Sequence, residues 1–418
     1  MELDNLILEK IKTTRIYGVT KPSIVKEILC IPEEVNIKKL ALHIDECYDT
    51  FYIKKNWSNK QKLTREEKYE KFLNTEKEKS ERFKELPSDA KKSEYRKIVT
   101  INKDWLKKTQ KKLNKILMSI LLDKKIRGVK QKSIIPYLHS SVKQRSYNTN
   151  AQVHIGNKYV FAIDLKDFYP SVTKKEIYKF FINNFNISSD IAMIYAVLST
   201  VKSDDGEYRL GQGLSQSATL AYLVNFRLFN YIYNQAKIKG IEMSIYVDDV
   251  VFSSDKIIPQ EFIDSLFGII KRNKMQIKRE KVHNYKKDSV KKVTGVYING
   301  NKTRVANKKH EELNVQFKYL KKHILEVKSI DDYFRIYNLY LKYYGNYQHI
   351  KMVEGKVHDR YEKFIKIYDV YFPKGINKKQ KNLNYRKGNI KNDSDSQKLN
   401  HSYQKLLNYI TNKKEDYF

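Results

Sequence analysis

The sequence predicts an α+β fold built on an antiparallel sheet, and three observations carry that prediction. SIYVDDVVFSS, residues 244–254, is two β-rich runs on either side of an Asp-Asp pair, which is the pattern of a hairpin. KYVFAIDLKDFYPSV, residues 158–172, reads as a strand running into a turn closed by Pro170. Most of the remaining chain has helical periodicity. The chain has 418 residues, 41% of them hydrophobic and 12% aromatic, so it can bury a sizeable core and global disorder is excluded.

In chain order, residues 1–53 read as short helices, with Leu3, Leu6, Ile7 and Ile11 at helical spacing and Pro22 and Pro32 punctuating the turns. Residues 58–92 are nearly all charged, with Glu/Lys pairs at helical spacing. They suit either a solvated insertion or a surface for RNA or a partner. YRKIVTI, from Tyr95 to Ile101, alternates as a strand, and Trp105 to Leu122 repeats as a helix. A helix follows the strand at 158–172, then a glycine-punctuated loop from Gly206 to Gly213 and one long buried helix, SQSATLAYLVNFRLFNYIYN. Beyond the hairpin come a helix from Pro259 to Asn273 and a short strand from Val293 to Ile298. After about residue 305 the chain is helical, basic and tyrosine-rich, and 374–418 has the composition of a basic tail or small appendage.

Lys and Arg number 82 against 48 Asp and Glu, a formal charge of +34. Such a chain repels itself unless a polyanion relieves it, which makes nucleic acid the leading partner. No apolar run approaches the roughly 18 residues of a membrane span. The N-terminus, MELDNLILEK, is acidic rather than signal-like, and two cysteines, Cys30 and Cys47, make neither a disulfide framework nor a four-cysteine zinc site. A cytoplasmic protein with no membrane partner is expected.

The chemistry centres on carboxylates. Side chains alternate along a strand, so Asp248 and Asp249 point together only at a tight turn, where two unpaired carboxylates invite a divalent cation. Asp164 lies in the apolar run VFAIDL, where an unpaired charge is costly to bury. Three carboxylates gathered across a sheet suit Mg²⁺, and two such ions would clamp the attacking and leaving oxygens of a phosphoryl transfer.

These motifs, in this order and spacing, resemble the palm of a reverse transcriptase. They are FAIDLKDFYPSV, the Gly-x-Gly opening at Gln212, YVDD and Lys281. NAQVH, Asn150 to His154, and Val293-Thr294-Gly295 narrow the resemblance to retron reverse transcriptases, over roughly Tyr95 to Ile298. The resemblance implies a right hand. Residues 1–57 would be an N-terminal helical region, 58–92 a charged insertion, 93–157 fingers, 158–300 palm, 301–373 thumb and 374–418 a basic tail or appendage.

The same resemblance assigns Asp164, Asp248 and Asp249 to two Mg²⁺ ions and Lys281 to the departing pyrophosphate, although Lys281 also suits a solvated surface. Tyr169 would lie under the incoming sugar and reject a ribose 2′-OH, with core packing as its other reading. Gln212 and Gly213 would lie beside nucleotide and template, although Gly211, Ser215 and Ala218 stand where the family has prolines. Arg96 and Lys97 would neutralise the triphosphate, or form an ordinary basic strand face. Gln110 and the segment from Arg127-Gly128 to Ser133 resemble neighbouring fingers motifs. Lys278 and Val282 depart from the family's Asn-x-x-Lys-Thr, and only the lysine at 281 is retained. Asn150, Ala151, His154, Val293, Thr294 and Gly295 are implied in RNA recognition, His154 being also readable as a hydrogen-bonded structural histidine.

The implied function is RNA-directed DNA synthesis on a cognate structured non-coding RNA. It would be primed from an RNA 2′-OH with dNTPs as substrates, give an RNA–DNA product, and serve anti-phage defence with a separate effector protein. Two alternatives stand beside it: another defence polymerase of this fold making untemplated or protein-primed DNA, and a non-catalytic RNA-binding scaffold.

Overall fold

The computed structural model describes residues 2–54, 64–74, 82–86, 94–123, 130–374 and 394–415. The chain divides into two units, one of residues 1–58 and 80–302, the other of 59–79 and 303–418.

In the first unit, α1 (Glu2–Lys12), α2 (Pro22–Leu29) and α3 (Leu40–His43) precede β1 (Tyr48–Lys54). The N-terminal region is therefore not wholly helical. YDTFYIK is rich in aromatic and β-branched residues and pairs along its full length with β3 (Tyr95–Ile101), Ile53 opposite Arg96 and Tyr52 opposite Lys97. A two-residue strand, β2 (Arg82–Phe83), flanks β1 on its other edge. Most of the charged stretch at 58–92 and the segment 124–129, which holds Arg127 and Gly128, lie outside the described residues. Helix α5 (Asp104–Ile120) buries Leu106, Leu113, Leu117 and Ile120 along one face, and Gln110 with them. The Gln110 amide donates to the Leu198 carbonyl at 2.9 Å and to the Tyr48 hydroxyl at 3.0 Å, tying α5 to its neighbours.

A short helix, α6 (Tyr147–Gln152), leads into β4 (Tyr159–Lys166), the central strand of an antiparallel sheet. Helices α7 (Lys174–Asn184) and α8 (Ser189–Ser199) follow, then β5 (Thr200–Lys202) and its partner β6 (Tyr208–Leu210), a strand inside the stretch from Gly206 to Gly213 expected as a loop. The long buried helix is two helices, α9 (Ser217–Val224) and α10 (Phe226–Ile238), broken at Asn225, whose ψ of 13° departs from helix geometry. The hairpin is β7 (Glu242–Tyr246) and β8 (Asp249–Ser254), followed by α11 (Gln260–Arg272), β9 (Gln276–Ile277) and β10 (His283–Tyr285). The sheet runs β10-β4-β8-β7, with β9 also on β4. Ile163, Val250 and Phe252 from its strands share one buried core with Leu220, Phe229 and Leu266 from its helices.

The run from Val293 to Ile298 is a hairpin rather than one strand. It comprises β11 (Lys291–Val293) and β12 (Val296–Asn299), with Val293 opposite Val296. Thr294 (φ 46°) and Gly295 (φ 84°) form its two-residue turn, and positive φ at both centres is the turn geometry that matches strand twist.

The second unit contains α4 (Arg65–Leu73), α12 (Asn307–His323), α13 (Ile330–Glu354), α14 (Asp359–Tyr368) and α15 (Ser394–Glu415). Helix α4 starts with a capping box between Thr64 and Glu67 and buries Phe72. Its C-terminal carbonyls are capped by α13. Lys342 donates to the carbonyls of Lys71, Phe72 and Asn74 at 3.3, 2.9 and 2.8 Å, and Gln316 of α12 donates to that of Phe72 at 3.0 Å.

Four tyrosines of α13 are packing residues. Tyr333, Tyr337, Tyr340 and Tyr343 are fully buried and donate to Tyr371 O, Pro373 O, Asp369 Oδ1 and Tyr361 O. Residues 375–393 lie outside the described residues, and 394–415 follows them. It is a helix whose Leu399, Leu406 and Ile410 are buried at helical spacing. No helix among the described residues is long and apolar enough to cross a membrane.

Candidate nucleotidyl-transfer site

The register of the sheet brings the carboxylates together. Asp164 of β4 is the direct cross-strand partner of Asp249 of β8, and Tyr246 faces Asp249 across the hairpin, leaving Val247 and Asp248 as its two-residue loop. The Asp248 carbonyl accepts from the Leu165 N–H at 2.8 Å and the Val247 N–H donates to Ser140 Oγ at 3.0 Å, so the loop is clamped on both sides. Val247 sits at φ 60°, a conformation that costs a β-branched residue energy and that these clamps enforce.

Asp164 is 3% exposed. Burial, then the charges of Asp248 and Asp164, push the Asp249 carboxyl up to about 6. Burial and the Asp164 charge also raise Asp248, against the pull of Lys278 and Lys281. The three acids thus share one field.

Two lysines answer that field. Lys278 Nζ meets Asp164 Oδ1 and Lys281 Nζ meets Asp164 Oδ2, while Lys278 Nζ lies 3.9 Å from Asp248 Oδ2. Burial lowers the Lys281 ammonium's pKa, but the hydrogen bond and charge of Asp164 outweigh it, and the net direction is upward. Lys278 escaped the sequence reading, which saw it only as a departure from the family's asparagine. The available signal was its spacing, three residues before Lys281 across the single turn Arg279–Lys281. Among the described residues no group of three or more His, Cys, Asp or Glu side chains converges as a ready metal cage. The donor set nonetheless fits a hard divalent cation, which takes oxygen ligands: Asp164 and Asp249 are cross-strand partners, and Asp248 adjoins them in the loop.

The carboxylates open onto a cleft of about 2450 Å³ that Arg96, Lys97, Tyr169, Gln212 and Lys281 also line. Arg96 is exposed there, whereas Lys97 is held by Asp204 at 2.7 Å and the Lys202 carbonyl at 3.3 Å. Tyr169 is half-buried, its phenol pushed up to about 12 by burial and then by Asp248 and Tyr246. Gly213, at φ 114°, lets β3 dock on its loop: the Val99 N–H donates to the Gln212 carbonyl at 3.0 Å.

The residues expected to recognise RNA mostly lie inside the protein. Asn150, Ala151 and His154 are fully buried and Val293 is 1% exposed, so these side chains offer no surface to a ligand. His154 bridges the β7–β8 hairpin instead, Nε2 to Ser244 Oγ on β7 and Nδ1 to Ser253 Oγ on β8, both at 2.7 Å. Thr294 Oγ1 donates to the Tyr147 carbonyl at 2.8 Å, which ties the β11–β12 turn to the helix carrying Asn150. The two motifs are therefore one structural unit.

Burial drives the His154 pKa down to about 3 and that of His139 to about 4. Below pH 6.5 the unfolded chain binds protons that the folded chain refuses. His154 therefore contributes stability that is fully present above pH 6.5 and lost as the pH falls towards 3. In urea melts at pH 7 and pH 5, a His154→Gln variant is expected to show an acid loss smaller than wild type's by about 2 kcal/mol. An unchanged acid loss would show that His154 is not the group being protonated.

The family described as "Reverse transcriptase (RNA-dependent DNA polymerase)" matches residues 84–320, more than half of the chain. The retron Se72 reverse transcriptase of Salmonella heidelberg is 31% identical over 169 residues, 39% of this chain and 43% of that protein. The retron Ec86 reverse transcriptase of Escherichia coli is 27% identical over 188 residues, 44% and 56% of the two chains. The retron Mx65 reverse transcriptase of Myxococcus xanthus is 28% identical over 180 residues, 40% and 42%. The chain thus spans about half the length of the curated relatives it matches. It belongs to the reverse transcriptase (RNA-dependent DNA polymerase) family, and within that family it resembles the retron type.

Proposed function

We propose that the protein copies a cognate structured RNA into single-stranded DNA, joined to that RNA through the 2′-OH that primes it. The observation that carries this reading is the cross-strand pairing of Asp164 with Asp249, with Asp248 in the adjoining loop, at a cleft also lined by Arg96, Tyr169 and Gln212. Asp164, Asp248 and Asp249 would hold Mg²⁺, two ions by the family's pattern. Bound there, the metal would neutralise charge on the phosphates.

The chain's own residues do the rest. Arg96, exposed on the cleft wall, meets the triphosphate, which suits a guanidinium's bidentate geometry. The half-buried ring of Tyr169 closes the space a ribose 2′-OH would need, selecting dNTPs. Lys281, an ammonium at neutral pH, delivers charge or a proton to the departing pyrophosphate. Gln212 lines the nucleotide's side of the cleft. The RNA partner draws support from the charge of +34, and a defence role with a separate effector protein follows from the retron resemblance.

The test is labelled-dNTP incorporation by the full chain purified with its copurifying nucleic acid. The expected product is DNA that stays attached to RNA after proteinase digestion and is freed by cleavage of the 2′ linkage. DNA that follows the protein instead would establish protein priming, and no incorporation by wild type would leave an RNA-binding scaffold.

A further inference from the structure

We propose that Lys278 is a built-in competitor for the cation site. Its ammonium holds Asp164 and must leave before a divalent ion can engage that carboxylate, so this lysine sets how much metal the protein requires. The inference rests on the carboxylate reading above.

Three features carry it. Lys278 touches one oxygen of Asp164 and Lys281 the other, so both oxygens are engaged by ammonium groups. Lys278 also reaches towards Asp248, at 3.9 Å, and is the more sheltered lysine, its side chain 19% exposed against 49% for Lys281. Its backbone is fixed as well. The pairing of β9 with β4 places Ile277 opposite Leu165, and the Lys278 N–H donates to the Asp164 carbonyl at 2.9 Å. The ammonium is therefore tethered where a cation would sit, and its effective concentration there is high. Lys281, half-exposed on its single turn, swings away more readily.

Apparent affinity falls by the fraction of molecules in the binding-competent state. A lysine that keeps Asp164 occupied nine-tenths of the time, as an order of magnitude, weakens metal binding about tenfold. Removing one of two ammonium groups from three carboxylates also leaves the site more negative. The chain thereby keeps its buried carboxylate neutralised while metal is scarce, at the cost of a higher metal requirement.

The test uses Mn²⁺ as the probe on the full chain stripped with EDTA, with free Mn²⁺ read by electron paramagnetic resonance. Lys278→Asn and Lys278→Met are each expected to bind Mn²⁺ about tenfold more tightly than wild type. Lys278→Arg, which keeps the charge, should stay at the wild-type affinity. Mn²⁺ binding by both neutral variants that equals or falls below wild type's, while Asp164→Asn still abolishes it, overturns the competitor role and leaves the carboxylate site standing. Wild-type Mn²⁺ binding that survives Asp164→Asn and Asp248→Asn together overturns the site and the competitor role alike.

Discussion

Asp248→Asn is expected to lower dNTP incorporation by at least about 10³-fold while making the metal-free chain more stable. The loss follows from removing one of three charges that must gather cations and phosphate at a single point. The gain follows from the same geometry. Asp248 is the largest charge acting to raise Asp249, and both are partly buried beside Asp164. A carboxylate whose folded pKa lies above its unfolded value binds more protons folded than unfolded. Its ionisation therefore costs stability as the pH rises from about 4 to about 6, and that cost persists at neutral pH. In Asp248→Asn the cost shrinks, so the melting temperature in EDTA at pH 7.5 should rise by a few degrees, as for a change of about 1 kcal/mol. Incorporation at the wild-type rate would remove these carboxylates from the chemistry. A lower melting temperature would show that the acids support the hairpin instead of straining it.

The second large effect is expected at Gly213. A Cβ there would lie 2.5 Å from the backbone oxygen of Val99, and φ 114° is closed to residues with a side chain. The clashing atom belongs to the backbone of β3, so relief requires moving the strand that carries Arg96 and Lys97 and breaking the Val99–Gln212 hydrogen bond. Gly213→Ala should cost about 3 kcal/mol or more in urea melts and raise the KM for dNTPs at least about tenfold. Mn²⁺ binding at the carboxylates, on other strands, should be retained. Gly206→Ala is the control: φ is 84°, but nothing lies within 4 Å of its Cβ, so it should cost about 1 kcal/mol and leave KM alone. A Gly213→Ala protein with wild-type KM would mean that the docking of β3 on this loop does not position the nucleotide.

The carboxylate hairpin was legible because period-two burial and an acidic turn are local signals, and β4 because an acid within VFAIDL has few explanations. Strand β1 was obscured by the helical spacing just upstream, although YDTFYIK carries β-branched and aromatic residues; its pairing with β3 is what decides it. Helix α15 was hidden by its polar composition, with Leu399, Leu406 and Ile410 at the right intervals but few apolar residues between them. The buried places of Asn150 and His154 could not be read from NAQVH, since a motif does not say whether its residues face a ligand or the underside of a neighbouring strand. Lys278 was overlooked for a related reason. It stood as a mismatch to a pattern, and only the sheet shows that the mismatch touches the central acid.

Because α4 belongs with residues 303–418 while the sequence on both sides of it belongs to the other unit, the polypeptide leaves one body, contributes a helix elsewhere and returns. Cutting the gene near codon 303 would therefore not yield two self-sufficient halves. The C-terminal piece would lack the helix that Lys342 and Gln316 cap and that buries Phe72, and a bare apolar surface would take its place. Any dissection of this chain needs residues 64–74 restored, grafted or added in trans, to the half from which the reading frame separates them.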